Sequence, residues 1–182
     1  MKTFIALLRG INVSGQKLIK MELLRKVLIE LDFKNIKTYI QSGNVIFQSN
    51  ETEPVDLEKK ISALILKHFS FEVPVVVVTL SDLEFVADNN PFATQTMPGD
   101  TQPYVTFLSE KPAAFNMEVL KSIDFGADRL IDIDRYIFLW YAHGAGTTKL
   151  TNTIIENKLK VKATSRNWKT VHKLIEMAKA ST

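Results

Sequence analysis

The loop between the first predicted strand and the first predicted helix carries residue types that hold anions. It reads Gly-Ile-Asn-Val-Ser-Gly-Gln-Lys over residues 10–17, with Arg9 before it and Lys20 after it. Glycine lets the backbone approach a ligand closely, free amides at a helix start attract negative charge, and the cations add to that attraction. The pattern therefore indicates a phosphate or carboxylate site. The alternative is a capped loop with lysines in solvent.

Other motifs in the chain do not support a nucleotide or metal site. The loop matches neither G-x-x-x-x-G-K-[ST] nor G-x-G-x-x-G, and residues 143–149 lack the first spacing too, so neither ATP nor NAD is predicted. His68, His143 and His172 lie on separate elements with no acid or histidine at ligand spacing, and the chain has no cysteine. We predict no metal and no cofactor.

The order of predicted elements repeats along the chain. Apolar runs and helical spacing predict, in order, a strand at 3–8, a helix at 21–31, strands at 36–40 and 45–47, a helix from Pro54 and a strand at 73–79. After a helix at 81–90 and a loop with Pro91, Pro98, Gly99 and Pro103, the same order returns as 104–108, 112–123, 129–133, 136–141, 148–159 and 161–163. A last helix is predicted at 167–180.

This repeated β-α-β-β-α-β order predicts an α+β protein made of two ferredoxin-like halves with a C-terminal helix docked across them. The first half is residues 1–79, a linking helix and loop follow at 80–103, and residues 104–182 form the second half with the last helix. In such a sheet the end of strand one, the first hairpin and the start of helix one share an edge.

The first hairpin adds polar side chains to that edge. If Ser42-Gly43 forms a two-residue turn, Gln41 pairs with Asn44, Tyr39 with Ile46 and Lys37 with Gln48. One face of this sheet then presents amide, phenol and amine groups, while the other is apolar and faces the helices.

Two arginines are predicted at positions where the guanidinium needs an anionic partner. Arg9 continues an apolar strand, so its guanidinium needs a partner, either an internal carboxylate or a ligand. If Thr164 or Ser165 caps the last helix, Arg166 and Asn167 fall in its first turn, where a cation opposes the helix dipole. Such a cation indicates a bound anion or a carboxylate across an interface.

Three sequence blocks resemble a known family, the mainly bacterial proteins called domain of unknown function 1697. They are residues 8–13 with 20–21, residues 39–47 and residues 163–171, so the resemblance spans nearly the whole chain. The family often has Gly-Gly where this chain has Ser14-Gly15, and Thr where it has Ser165. Both changes keep small residues. The resemblance implies a small α+β protein with ferredoxin-like elements and brings no established activity. The polar residues singled out above fall inside its motifs.

The first functional hypothesis is therefore a site for a small phosphate- or carboxylate-bearing ligand at this edge, closed by Arg166 and Asn167 from the second half. No residue is an obvious base, so the residues indicate binding more than catalysis, and whether the protein is an enzyme stays open. The ligand-binding residues are predicted to be Arg9, Asn12, Ser14, Gly15, Lys17, Lys20, Gln41, Ser42, Asn44, Arg166 and Asn167.

Two alternatives come from other classes of function. Tyr136, Phe138 and Trp140 alternate along a predicted strand, and residues 135–182 carry nine Lys and Arg against two Asp and Glu, which favours RNA or single-stranded nucleic acid. An aromatic face buried between the halves is the competing interpretation. The other alternative is an assembly protein that dimerises through its sheets.

The chain has no apolar run near the roughly 18 residues that a membrane helix needs. Its start imitates a signal peptide, but Arg9 ends the apolar stretch and no cleavage site follows. We predict no membrane partner and a cytoplasmic location, which the absence of cysteine suits.

Overall fold

The computed structural model describes residues 1–95 and 101–181, and these residues form eight strands and six helices. The predicted loop residues Pro98 and Gly99 lie outside the described residues. The strands are β1 Lys2–Leu8, β2 Lys34–Tyr39, β3 Asn44–Ser49, β4 Val75–Thr79, β5 Tyr104–Leu108, β6 Arg129–Ile133, β7 Tyr136–Trp140 and β8 Ala163–Asn167. The helices are α1 Met21–Leu28, α2 Pro54–Phe69, α3 Leu80–Asn89, α4 Ala114–Lys121, α5 Asn152–Leu159 and α6 Trp168–Lys179, and a 3-10 turn at Ile29–Leu31 extends α1.

The strands form two antiparallel sheets with the same topology. Their orders are β2-β3-β1-β4 and β6-β7-β5-β8. Each sheet is therefore a ferredoxin-like β-α-β-β-α-β unit, and the predicted α+β fold is confirmed. Tertiary contacts divide the chain into a first unit, Met1–Glu84 with Lys173–Thr182, and a second unit, Phe85–His172. The end of α6 thus belongs to the first unit.

One face of the first sheet packs against helices α1 and α2. The strands contribute the alternate side chains of β1, β3 and β4, because successive residues of a strand point to opposite faces. The helices contribute residues spaced three and four apart, as an amphipathic helix requires. The core of this face includes Phe4, Ala6, Leu8, Val45, Phe47, Val75 and Val77 from the strands and Leu24, Val27, Leu28, Leu57, Ile61 and Ile65 from the helices.

The other face of the first sheet was predicted to present amide, phenol and amine groups, but along the central strands it is apolar. Ile5, Leu7, Ile46, Val76 and Val78 on that face are all buried. Polar side chains on this face are also engaged in hydrogen bonds. The Lys37 ammonium and the Gln48 amide donate to Oγ and to the carbonyl of Ser181, which follows α6. The polar groups of Lys37 and Gln48 on this face therefore hold the segment that follows α6 in place.

The first hairpin also has a different register from the predicted one. Tyr39 pairs with Asn44 and Lys37 with Ile46, so residues 40–43 form the loop. The shift is two residues, which leaves each side chain on its expected face. The physical reason lies at Gly43, whose carbonyl accepts a hydrogen bond from the Leu8 amide at 2.8 Å. The loop is pinned to the end of β1.

Gly43 permits this contact because it has no side chain. Its φ is +82°, and a Cβ there would lie 2.7 Å from Leu8 Cβ and 2.8 Å from Ile11 Cδ1. Any other residue would be strained by the dihedral angle and would clash with two buried side chains.

We expect Gly43→Ala to destabilise the protein more than Gly15→Ala, measured as the free energy of unfolding in urea. Gly15 also has a positive φ, +74°, but nothing lies within 4 Å of a Cβ built there. Gly15→Ala should cost about 1–2 kcal/mol for the left-handed conformation. Gly43→Ala should cost about 1–3 kcal/mol more because it overpacks the core. Equal decreases in the free energy of unfolding for the two variants would contradict the close contact of Gly43 with Leu8 and Ile11.

The second sheet packs one face against α4 and α5, and its core includes Leu108, Ile137, Leu139, Met117, Leu120, Ile155 and Leu159. The opposite face carries Val105, Phe107, Tyr136 and Phe138, and these are also buried. The aromatic row proposed to stack nucleic-acid bases is thus inside the protein, since Tyr136, Phe138 and Trp140 are at most 9% exposed. The nucleic-acid hypothesis then depends on charge alone.

The C-terminal segment differs from the prediction. Residues 163–167 form the full strand β8, and α6 begins only at Trp168. The sequence pattern had placed Arg166 in the first helical turn and a short strand at 161–163, and both predictions are wrong. Asn167 caps α6, because its Oδ1 accepts a hydrogen bond from the Thr170 amide at 2.8 Å. Among the described residues, no helix has the length and apolar character to span a bilayer.

Candidate functional site

The end of β1, the first hairpin and the start of β4 meet at one edge of the first sheet. The Leu8 amide donates to the Gly43 carbonyl, and the Arg9 amide donates to the Pro74 carbonyl at 2.9 Å. Arg9 is the first residue after β1, and its side chain is half-buried. The loop that follows, residues 10–20, therefore begins at a position that is held by backbone hydrogen bonds.

Asn12 closes this loop through its side chain. Its Oδ1 accepts a hydrogen bond from the Ile19 amide at 2.8 Å, and its Nδ2 donates to the Ile19 carbonyl at 2.9 Å. The same Nδ2 donates to the Gln41 carbonyl at 2.9 Å, which joins the loop to the hairpin. Asn12 has a φ of +56°, a conformation that asparagine tolerates better than most residues. The side chain of Asn12, one of the predicted ligand-binding residues, therefore clamps the loop to the hairpin.

The tip of the loop is a turn that extends into solvent. The Gln16 amide donates to the Val13 carbonyl at 2.9 Å, and Ser14 and Gly15 between them are exposed with positive φ. The Lys17 ammonium donates to the Glu72 carbonyl at 2.6 Å. These residues shape the loop.

A cleft of about 650 Å³ lies beside the clamp, and we call it the edge cleft. Its size is within the range of sites for small organic molecules. Most of its wall is apolar, and a few polar groups also line it. The edge cleft is lined by Asn12, Leu18, Ile19, Lys20, Met21, Glu22, Leu23, Gln41 and Phe69.

The charged groups of the edge cleft are Lys20 and Glu22, at the start of α1. Lys20 is the N-cap residue, and no side chain caps the helix there. The Glu22 carboxylate lies 2.8 Å from the Lys26 ammonium, and this hydrogen bond and charge lower the pKa of Glu22 below its usual value. Glu22 is directed along the helix toward Lys26, so Lys20 is the group in the cleft that can meet an anion.

The structure brings together three of the predicted site residues, since Asn12, Lys20 and Gln41 line the edge cleft. Asn44 is fully buried, and its Nδ2 donates to the Tyr39 carbonyl and to Ser42 Oγ within the hairpin. The predicted residues Arg9, Ser14, Gly15, Lys17, Ser42 and Asn44 are not among the lining residues.

The predicted residues Arg166 and Asn167 belong to β8 in the second unit. The Arg166 side chain is buried, and its Nη1 donates to Thr164 Oγ1 and to the Ser165 carbonyl, each at 2.8 Å. Burial lowers the pKa of Arg166 to about 10, so the guanidinium is still a cation at pH 7. The argument from a helix dipole does not apply to a strand residue.

The apolar lining residues were missed at the sequence level. Leu18 is 67% exposed and Leu23 is 47% exposed. Leu23 lies off the buried stripe of α1, which consists of Met21, Leu24, Val27 and Leu28. An apolar residue off that stripe, close to an exposed leucine in the preceding loop, was the available signal for this wall.

The family model described as Protein of unknown function (DUF1697) matches residues 1–138. The chain belongs to this family. The matched region contains every residue of the edge cleft and two of the three resembling sequence blocks, while the block at 163–171 lies beyond it. A comparison with curated protein sequences finds no match.

A solved structure has the same fold as this member of the family. It is that of the conserved bacterial protein SP0830 from Streptococcus pneumoniae, with a TM-score of 0.72 and 24% sequence identity. The alignment covers 97% of this chain and 98% of that chain. This likeness extends over both ferredoxin-like units and shows the fold.

The described residues hold no group of three or more histidine, aspartate or glutamate side chains arranged to bind a metal ion. The polar side chains that line the edge cleft are the amides of Asn12 and Gln41, the Lys20 ammonium and the Glu22 carboxylate. Such groups bind and orient a ligand through hydrogen bonds and charge.

We expect Asn12→Asp to open the loop, because a carboxylate oxygen would replace the donor that faces two carbonyls. The free energy of unfolding should fall by about 2–4 kcal/mol, and the Ile19 amide should exchange its hydrogen faster. Asn35→Asp is the matched control, since Asn35 also has a positive φ, but among the described residues its Nδ2 donates only to Gln48 Oε1. Equal effects of the two substitutions would show that Asn12 is not a clamp.

Proposed function

We propose that this protein binds a small organic anion with an apolar body in the edge cleft. The observation that carries the proposal is the composition of the cleft, in which Lys20 and Gln41 line a largely apolar space. Ligand sites commonly combine such a wall with a few polar groups that fix orientation.

The apolar body of the ligand would contact Leu18, Leu23 and Phe69. These side chains line the cleft, and the two leucines are exposed to solvent. Covering them would contribute roughly 25 cal/mol for each Å² removed from water. This term supplies affinity for a broad class of apolar groups, so specificity must come from the polar groups of the cleft.

The anionic group of the ligand would lie against Lys20 and the first turn of α1. Lys20 forms no ion pair with any carboxylate in the described parts of the chain. The amides of the first helical turn carry partial positive charge, and the residues of this turn are among those that line the cleft. The Gln41 side chain lines the same cleft and can hydrogen-bond a neutral polar group of the ligand.

The experiment is a fluorescence titration with 8-anilinonaphthalene-1-sulfonate, which joins an aromatic body to an anion. We expect saturable binding that Leu23→Ser weakens roughly tenfold through lost apolar contact. Lys20→Gln should weaken it about two- to fivefold, as for an exposed ion pair. The neutral N-phenyl-1-naphthylamine should bind the native protein less tightly than the anionic probe does. Lys20→Gln should reduce this difference in affinity between the two probes.

The matched controls are Ile29→Ser and Lys34→Gln. These residues line a different cleft, of about 340 Å³, which also combines an exposed apolar side chain with a lysine. Both control variants should bind the probe as the native protein does. Absence of saturable binding, or equal losses in the controls, would refute the proposal.

A further inference from the structure

A second cavity, of about 440 Å³, lies in the second unit beside strand β6. Its lining includes Arg129 and Leu130 of β6, the preceding loop with Ile123 and Phe125, and Phe92 and Gln95 after α3. The edge cleft has none of these residues, so the two sites can be tested separately. We call this space the Arg129 cavity.

The Arg129 guanidinium is held in one orientation by three contacts. Its central carbon lies 4.7 Å from the centre of the Trp140 ring and 5.3 Å from the centre of the Phe92 ring. Its Nη2 donates to Gln95 Oε1 at 2.9 Å. A guanidinium has five N–H donors, and the hydrogen bond to Gln95 uses one of them, so donors are left for another partner.

No carboxylate in residues 1–95 or 101–181 pairs with Arg129, although acidic residues line the same cavity. Asp124 Oδ1 accepts a hydrogen bond from the Gly126 amide at 2.8 Å. Asp128 Oδ1 accepts from the Ala142 amide, and its Oδ2 accepts from Thr148. These acids hold their own loops in place.

We propose that the Arg129 cavity binds the carboxylate of a small organic acid with an apolar body. The planar fork of arginine matches the two oxygens of a carboxylate. The side chains of Ile123, Phe125 and Leu130 supply an apolar wall for the rest of the molecule. Lys121 also lines the cavity, but its ammonium is paired with the Asp132 carboxylate at 2.7 Å. Because Asp124 and Asp128 line the cavity too, a singly charged carboxylate suits it better than a phosphate monoester, which carries nearly two charges.

Arg135 offers a comparison, because it stacks on an aromatic ring without lining the cavity. Its guanidinium carbon lies 5.7 Å from the centre of the Tyr136 ring, and its Nε donates to Tyr136 Oη at 3.4 Å. If arginine stacking in this unit only covers aromatic surface, Arg129 and Arg135 will behave alike toward a ligand.

The test is an NMR titration of the ¹⁵N-labelled full chain with 3-phenylpropionate, followed at the Trp140 indole N–H. Because this signal belongs to the ring beneath Arg129, binding in the edge cleft is not counted. We expect saturable shifts at Trp140 and at the Arg129 side-chain N–H. The neutral 3-phenylpropanamide should bind roughly tenfold more weakly, since a charge-assisted hydrogen bond is lost. Phenyl phosphate should also bind more weakly.

Variants of the two arginines complete the test. Arg129→Gln should weaken binding of 3-phenylpropionate roughly tenfold, and Arg129→Lys should weaken it less because the cation is kept. Arg135→Gln should bind as the native protein does, and the thermal midpoint of each variant checks its folding. The proposal is overturned by absence of saturable shifts, by tighter binding of phenyl phosphate or the amide, or by equal effects of Arg129→Gln and Arg135→Gln.

Discussion

The side chain of Asn12 joins parts of the chain that no strand pairing connects. It bonds both backbone groups of Ile19 and the carbonyl of Gln41, so it holds the start of α1 and the first hairpin against each other. Gly43 completes this arrangement by bringing the hairpin into contact with Leu8. These contacts fix the distance between the loop before α1 and the first hairpin, and so they keep the edge cleft open.

The sheet behind this edge gives it a rigid support. Both faces of β1 are covered by apolar side chains, and β1 pairs with β3 and β4 on either side. A strand in that position moves little, because any shift would disturb packing on both faces and two ladders of hydrogen bonds. The loop and hairpin at the end of β1 are therefore attached to a rigid sheet, while Leu18 and Leu23 are exposed apolar side chains.

The fold followed from the sequence because its periodic patterns are local. The spacing of Leu24, Val27 and Leu28 and the run of valines in β4 each indicate one element, and the order of elements then limits the topology. The predicted register of the hairpin was wrong because the register depends on the contact of Gly43 with Leu8 and Ile11, which are distant in sequence. Asn12 and Lys20 were found as polar residues beside a glycine loop, but the clamp role of Asn12 depends on the Ile19 and Gln41 backbones. The buried strand position of Arg166 was missed because Thr and Ser before it suggest a helix cap.

The turn at Val13–Gln16 is closed by its own backbone bond, and Asn12 secures the loop beneath it. Its four residues are exposed, and none of them lines the edge cleft. This separates the part of the loop that faces solvent from the part that builds the site. A fluorescent label at Ser14 would therefore report on the neighbouring cleft without altering its walls. A peptide inserted at Ser14 would leave those walls unchanged as well.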